Sequence, residues 1–283
     1  MQQQQPDIYQ LQKPLNDDNC PNISVLTPCY QRHDFLPLMI QNLKAMDYPH
    51  DKIIWEILQD GPDCLFQGLL EDVMKTLHPI QIKYCHEPNV RRTIGKKRDI
   101  LSKNSTHKIM INMDSDDIYL PTYFRYAVSC LKESKAGIVG SSGMMFIFPE
   151  DNLKTSSVLC PAKRQIHEAT FCYTKKYFRS IQGYNTGEKP GEGAHMVDFA
   201  ENRCKNINIM RIMVCVCHGE NTVDKDRFKD NPCEIPQLVR GWIDPHVRIL
   251  QNIITMQEVV ANGGRVDDII QEQEDDTIIC KDP

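Results

Sequence analysis

A chain of 283 residues with a net charge of -5 can hold one large α/β domain with a smaller appendage, and it lacks the basic stripe of a nucleic-acid binder. Its hydrophobic share of 41% is ordinary for a soluble globular protein, and no uninterrupted apolar run reaches the ~20 residues that span a membrane. The opening MQQQQPDIYQ has neither a basic flank nor an apolar core, so no signal peptide is read and a cytoplasmic location is expected, with the twelve cysteines reduced and mostly buried.

Residues 1–20, dominated by Gln, Asn and Asp, read as a loose arm. Order is expected from the β-prone run Ile23-Ser24-Val25-Leu26-Thr27, stopped by Pro28. Asp34 can cap a helix in which Leu36, Met39, Ile40 and Leu43 recur at helical spacing. A second strand, Ile54 to Leu58, ends at the turn Gln59-Asp60-Gly61-Pro62-Asp63. Leu69, Leu70, Val73 and Leu77 mark a helix, and Ile80 to Tyr84 a third strand. Strand and helix alternating in units of about thirty residues is the pattern of a right-handed parallel sheet.

A basic segment follows: Arg91, Arg92, Gly95, Lys96, Lys97 and Arg98. Its helix, from Ile94 to Ser102, carries cations in the first turn, where the helix dipole disfavours them. A bound anion such as a diphosphate would relieve that conflict; a solvated basic loop is the plainer alternative. The apolar run Ile109-Met110-Ile111-Asn112-Met113 then reads as a strand that ends in Asp114-Ser115-Asp116-Asp117. Three carboxylates in four residues repel one another, and a divalent metal is the most economical partner. A solvated Asp- and Ser-rich turn is the alternative. Placed past the carboxyl end of a strand, the cluster lies where open α/β sheets bind ligands, and Mg²⁺ or Mn²⁺ there usually completes its shell with substrate phosphates.

Pro121 suits the first turn of a helix through Tyr123, Ala127, Val128 and Leu131. Strands are expected at Gly137–Gly140, Met144–Phe148 and Phe171–Thr174, with residues 149–168 loop-rich. The turn Gly183-Tyr184-Asn185 leads into the glycine-containing loop Gly187–Gly193, which holds Glu188 and Glu192. A helix over Ala194–Lys205 and a strand over Ile207–Val216 come next, the strand ending in Cys217-His218-Gly219. The alternation of Cys215-Val216-Cys217 indicates strand packing over zinc binding. A last helix spans Pro245–Asn262 on Val247, Leu250, Ile254 and Val259; it either docks on the core or pairs two subunits as a homodimer.

Taken together, SVLTPCYQR, WEILQDGPD, IGKKRD, INMDSDDIYLP, QGYN with GEG, and CHGENT stand in an order that resembles the inverting, GT-A type glycosyltransferases of family 2, over roughly residues 22–222. The resemblance implies a GT-A, Rossmann-like α/β fold: a mostly parallel central sheet flanked by helices, followed by a C-terminal helical extension. It divides the chain into the arm at 1–20, a catalytic domain at 21–222 and the extension at 223–283. Within the catalytic domain, 21–120 would be the nucleotide-sugar half and 121–222 the acceptor half. The implied activity moves a sugar from a nucleotide-diphosphate sugar, a UDP-sugar foremost, to a hydroxyl of a glycan or other glycoconjugate acceptor, with Mn²⁺ or Mg²⁺.

Residue by residue, Thr27, Pro28 and Tyr30 match the nucleotide-pocket lining and Asp60 the acid that contacts uracil. Lys97 and Arg98 match the basic residues near ribose and diphosphate. Asp114 and Asp116 match the D-x-D pair, with Ser115 between them on the donor side, and His218 matches a histidine of the metal or diphosphate shell. Glu192 falls at the catalytic base, with Asp198 as its rival because GEG lacks the usual Glu-Asp pair. Asp99 stands where Asn is common, and Gln59 replaces a common acid. A sugar nucleotidyltransferase remains an alternative, although LTPCYQRHD has no glycine for the loop such an enzyme needs. So does a non-catalytic nucleotide-sugar or carbohydrate-binding module.

Overall fold

The structure, a computed structural model, describes residues 15–159, 166–181, 183–187, 191–198, 203–219, 225–229 and 235–261. In chain order the elements are β1 (Ile23–Tyr30), α1 (Leu36–Ala45), β2 (Ile53–Asp60), α2 (Leu70–Leu77), β3 (Gln81–Glu87), α3 (Ile94–Asn104) and β4 (Ile109–Asn112). Then come β5 (Ile118–Tyr119), α4 (Tyr123–Ser134), β6 (Ile138–Gly140), β7 (Gly143–Phe148), β8 (Lys154–Leu159) and β9 (Cys172–Thr174). The chain closes with α5 (Lys175–Arg179), α6 (Ala194–Asp198), β10 (Cys204–Asn206), β11 (Met213–Val216) and α7 (Gln237–Ala261).

Seven strands form the main sheet in the order β10-β6-β9-β4-β1-β2-β3, and β5-β11-β7-β8 form a smaller one. In the main sheet β9 alone runs antiparallel to its neighbours, β4 and β6. This is the mostly parallel α/β architecture that the strand–helix alternation predicts. The central strands are buried on both faces, as parallel strands covered by helices must be: Val25 and Trp55 are buried on one face, Leu26 and Leu58 on the other. The Trp55 indole donates to Thr27 Oγ1 at 2.9 Å, which satisfies the one polar atom of that ring.

Several elements depart from the sequence reading, each for a local reason. β1 does not stop at Pro28 but continues to Tyr30, paired with β2 throughout. Met113 N–H donates to Leu26 O, so Leu26 and, two residues on, Pro28 face the β4 side, where β4 pairing has already ended. The missing N–H of Pro28 therefore costs no ladder bond. Residues 15–20 of the presumed arm are ordered: Cys20 is buried, and Arg125 on α4 pairs with Asp17 at 2.7 Å. The loop-rich stretch after 149 contains β8, which pairs with β7 residue for residue.

The helix read over Ala194–Lys205 does not reach its expected end: α6 is described over Ala194–Asp198, and Cys204–Asn206 is a strand beside β6. The strand read over Ile207–Val216 is broken by a 3-10 turn at Ile209–Arg211, which Asn208 caps by accepting from Met210 N–H at 3.0 Å. The last helix begins at Gln237, and Pro245 lies inside it. Val239, Ile243, Leu250 and Ile253 are buried on one stripe of α7 and join the main core, so this helix docks on the domain, against α1. Among the described residues, no helix is long and apolar enough to cross a membrane.

Candidate active site

The carboxyl ends of β1 and β4 converge on one pocket of about 630 Å³, within the range that holds small-molecule ligands. β1 delivers Pro28 and Tyr30, the turn after β4 delivers Asp114, Ser115 and Asp116, and α3 lays Lys97 and Arg98 along the floor. The cations of α3 are not stranded at its start, as the sequence suggested. Lys97 Nζ binds Asp60 Oδ1 at 2.7 Å and the Cys29 carbonyl at 2.8 Å. Against the upward push of burial, Lys97 and the Arg92 N–H hold the Asp60 carboxyl below the usual carboxylate range. Thr93 caps α3, accepting from Lys96 N–H at 3.2 Å and donating to Thr186 O at 2.9 Å. Thr93→Ala should lower stability by about 1 kcal/mol, as cap removal commonly does, measured by urea unfolding.

Arg98 is the central cation. Its side chain is 3% exposed and reaches Asp114 Oδ1 at 2.8 Å and Oδ2 at 2.9 Å, with Nε on Glu192 Oε1 at 3.1 Å. Despite the desolvation of its burial, Asp114 and Glu192 keep the guanidinium firmly charged. Asp114 is fixed further by its own N–H, which donates to Tyr119 Oη at 2.8 Å. Asp116 turns the other way: its Oδ2 lies 3.2 Å from Arg32 Nε and 3.3 Å from His218 Nε2. Burial pushes the Asp116 carboxyl up, but His218 and Arg32 hold it well below the usual range. Asp117 is buried beneath, accepting from Val216 N–H at 2.9 Å, and burial pushes it up to about 6.

The loop that carries Glu192 is seated on α3 through Gly95. A Cβ on residue 95 would lie 1.9 Å from Asn185 O and 2.9 Å from Glu192 Cβ, so only glycine allows this approach. Asn185 N–H in turn donates to Glu192 O at 2.7 Å. Across the pocket rim, Glu168 Oε1 accepts from Gly193 N–H at 3.0 Å. Burial raises the Glu168 carboxyl, and the charge of Glu192 raises it further.

Of the residues singled out in the sequence, Pro28, Tyr30, Lys97, Arg98, Asp114, Ser115, Asp116 and Glu192 line this one pocket. His218 adjoins it through Asp116. Thr27 and Asp60 are fully buried and do not line the pocket; Thr27 accepts from the Trp55 indole, and Asp60 reaches the pocket through Lys97. Asp198 lies in α6, and its side chain lies outside the described residues. Asp99, where Asn is common in the family, pairs with Lys103 on the same helix at 2.6 Å. The sequence reading missed Arg32, His167, Glu168 and Lys225, which also line the pocket. Arg32 had a signal, lying two residues past β1; Glu168 and Lys225 sit in stretches with no periodicity to place them.

A sheet with this order, opening at its carboxyl rim onto acids and arginines, defines a Rossmann-like transferase of the GT-A kind. The description "glycosyl transferase family 2" belongs to the family model that matches residues 24–187, and the chain belongs to that family, as a glycosyltransferase. Solved structures share the fold. The mannosyltransferase PcManGT from Pyrobaculum calidifontis, in complex with GDP-Man and Mn²⁺, is 14% identical with a TM-score of 0.54, over 92% of this chain and 81% of that one. S. aureus TarS 1-349 in complex with UDP is 12% identical with a TM-score of 0.55, over 88% and 77%. A further structure of TarS 1-349 is 15% identical with a TM-score of 0.53 over 69% of this chain, which spans 60% of the length of that one. No curated protein matches the chain.

Proposed function

We propose that the chain transfers a sugar from a nucleoside-diphosphate sugar, with UDP-sugars the leading donors, to a hydroxyl of a glycan or related acceptor. The transfer is an inverting single displacement assisted by Mn²⁺ or Mg²⁺. The observation that carries this reading is the single pocket in which Asp114, Asp116, Arg98 and Glu192 meet at the carboxyl ends of parallel strands. The complexes of PcManGT with GDP-Man and Mn²⁺ and of TarS with UDP-GlcNAc, on the same fold, support it.

The residues present fit a divalent cation. The Asp116 carboxylate and His218 Nε2, 3.3 Å apart, offer one oxygen and one nitrogen. Among the described residues no cluster of three His, Cys, Asp or Glu could hold a metal, so the remaining ligands would be donor phosphates and water, as is usual for Mg²⁺-type sites. When bound, such an ion neutralises charge on the departing diphosphate.

The chain's own groups do the rest. Arg32, held on Asp116, and the arginines Arg91 and Arg92 line the pocket and give the diphosphate a cationic wall. Arg91 also lies 3.4 Å from the centre of the Tyr30 ring, which fixes the guanidinium over an aromatic face. Arg98 ties the acidic turn to the Glu192 loop, so donor and acceptor ends are positioned by one buried cation. A carboxylate at the Glu168–Glu192 end takes the acceptor proton, with Asp198 as a further candidate for that role.

The test is release of UDP or GDP from a panel of UDP-sugars and GDP-mannose, with and without Mn²⁺. Metal-dependent hydrolysis or transfer is the expected result. Nucleotide binding with no turnover would indicate a binding module, and pyrophosphate formation a nucleotidyltransferase.

A further inference from the structure

We propose that Glu168, rather than Glu192, is the general base of the transfer, an assignment that rests on the transfer reading above. Two carboxylates face each other at this end of the pocket, and the structure distinguishes them by their partners. Glu192 is already engaged, its Oε1 on Arg98 Nε at 3.1 Å. That oxygen already accepts the guanidinium hydrogen bond, which ties the Glu192 side chain to α3. Glu168 has no lysine or arginine ion-paired to it among the described residues; its carboxyl is held by backbone N–H groups, Gly193 N–H donating to Oε1 at 3.0 Å. Its backbone is anchored where the reaction would occur, because Asn112 at the end of β4 donates from Nδ2 to Glu168 O at 2.6 Å.

Gly193 supplies the second argument. A Cβ on residue 193 would lie 2.4 Å from Glu168 Cγ and 2.9 Å from Glu168 Oε1. Gly193 is not among the glycines at positive φ, so glycine is required here for room and not for backbone freedom. The Glu168 carboxylate thus occupies the space into which a side chain at 193 would otherwise project. It lines the pocket together with Asp114 and Asp116. Burial and the neighbouring Glu192 charge raise it above the ordinary carboxylate range, in the direction that makes a base more effective near neutrality.

In the step itself, the acceptor hydroxyl gives its proton to Glu168 while its oxygen forms a bond to the anomeric carbon. The bond from that carbon to the diphosphate breaks, and its electron pair leaves with the nucleoside diphosphate. Glu192 is then a positioning residue, which keeps Arg98 and its own loop in place.

The experiment uses the full chain and the UDP-sugar of the panel that is turned over fastest, reading UDP release. Glu168→Gln keeps the size of the side chain and an acceptor for Gly193 N–H. Its turnover should fall about 10²- to 10⁴-fold with UDP affinity and melting temperature unchanged. Glu192→Gln should lose less. Wild-type turnover by Glu168→Gln overturns the assignment while leaving the transfer reading intact. So does a parallel loss of UDP binding and turnover, which would mark a structural role. If Asp198→Asn is inactive where Glu168→Gln is active, the base is Asp198. A wild-type chain that releases no nucleotide from any donor overturns both readings.

Discussion

Asp116→Ala is expected to lower metal-stimulated UDP release by at least about 10²- to 10³-fold, the scale set by removing one electrostatic stabiliser of a developing anion. The carboxylate also holds Arg32 at 3.2 Å, so the response to Mn²⁺, and not the rate alone, is the reading that isolates the metal. Its neighbours Arg32 and His218 approach one oxygen from the pocket side, at 3.2 and 3.3 Å. Alanine there removes the carboxylate that lies 3.3 Å from the imidazole, so both the rate and its response to Mn²⁺ should disappear together. UDP affinity measured in Mn²⁺ should drop to its value in EDTA. A variant that still turns over and still responds to Mn²⁺ would place the metal elsewhere. One that turns over without any metal response in either protein would leave charge stabilisation to the arginines alone, with Arg32 the first of them.

The second large effect is expected at Arg98. Arg98→Leu removes the cation from a position 3% exposed and leaves Asp114 and Glu192 facing each other with no positive group between them. Breaking a buried ion pair by deleting one partner typically costs about 3–5 kcal/mol, because the stranded charges stay desolvated. That is a large part of the ~5–15 kcal/mol by which a domain is stable. Denaturant unfolding should show the loss, and turnover should vanish even at temperatures where the variant is folded. Arg98→Lys keeps the charge but cannot reach both Asp114 oxygens and Glu192 at once, since an ammonium lacks the planar fork. It should fall between wild type and leucine in both measurements. If leucine at 98 were neutral for stability and turnover, the three groups would not form the linked unit described above.

The fold was legible where the chain obeys a simple period. The first three strands and their helices follow from alternation and from breakers such as Gly61-Pro62, and the sheet they form is the one observed. Pro28 misled because its effect depends on which neighbour faces its nitrogen, and that is set by where β4 ends, some eighty residues later. The stretch 194–205 misled at its far end, where pairing of Cys204–Asn206 with β6 outweighed helical spacing. Tertiary pairing of this kind overrides local propensity.

The same division holds at the site. Asp114, Asp116, Lys97, Arg98, Glu192 and His218 all lie in motifs with a local signature. Glu168 was invisible because its meaning comes from Gly193, twenty-five residues away, and from the absence of a side chain there. Lys225 was likewise hidden: it donates to Cys215 Sγ at 2.8 Å, and Asp117 and Asp116 help keep the ammonium charged against desolvation. The helix α7 could be recognised from its stripe, but only the buried Val239 and Ile243 show that the stripe faces its own domain.

The most direct test is a crystal grown with UDP and Mn²⁺, with diffraction recorded at the manganese absorption edge. An anomalous peak within bonding distance of the Asp116 carboxylate and the His218 imidazole, touching the UDP phosphates, is the predicted result. UDP bound in the pocket with manganese absent from that position, or nucleotide bound away from the Asp114–Asp116 turn altogether, would contradict it.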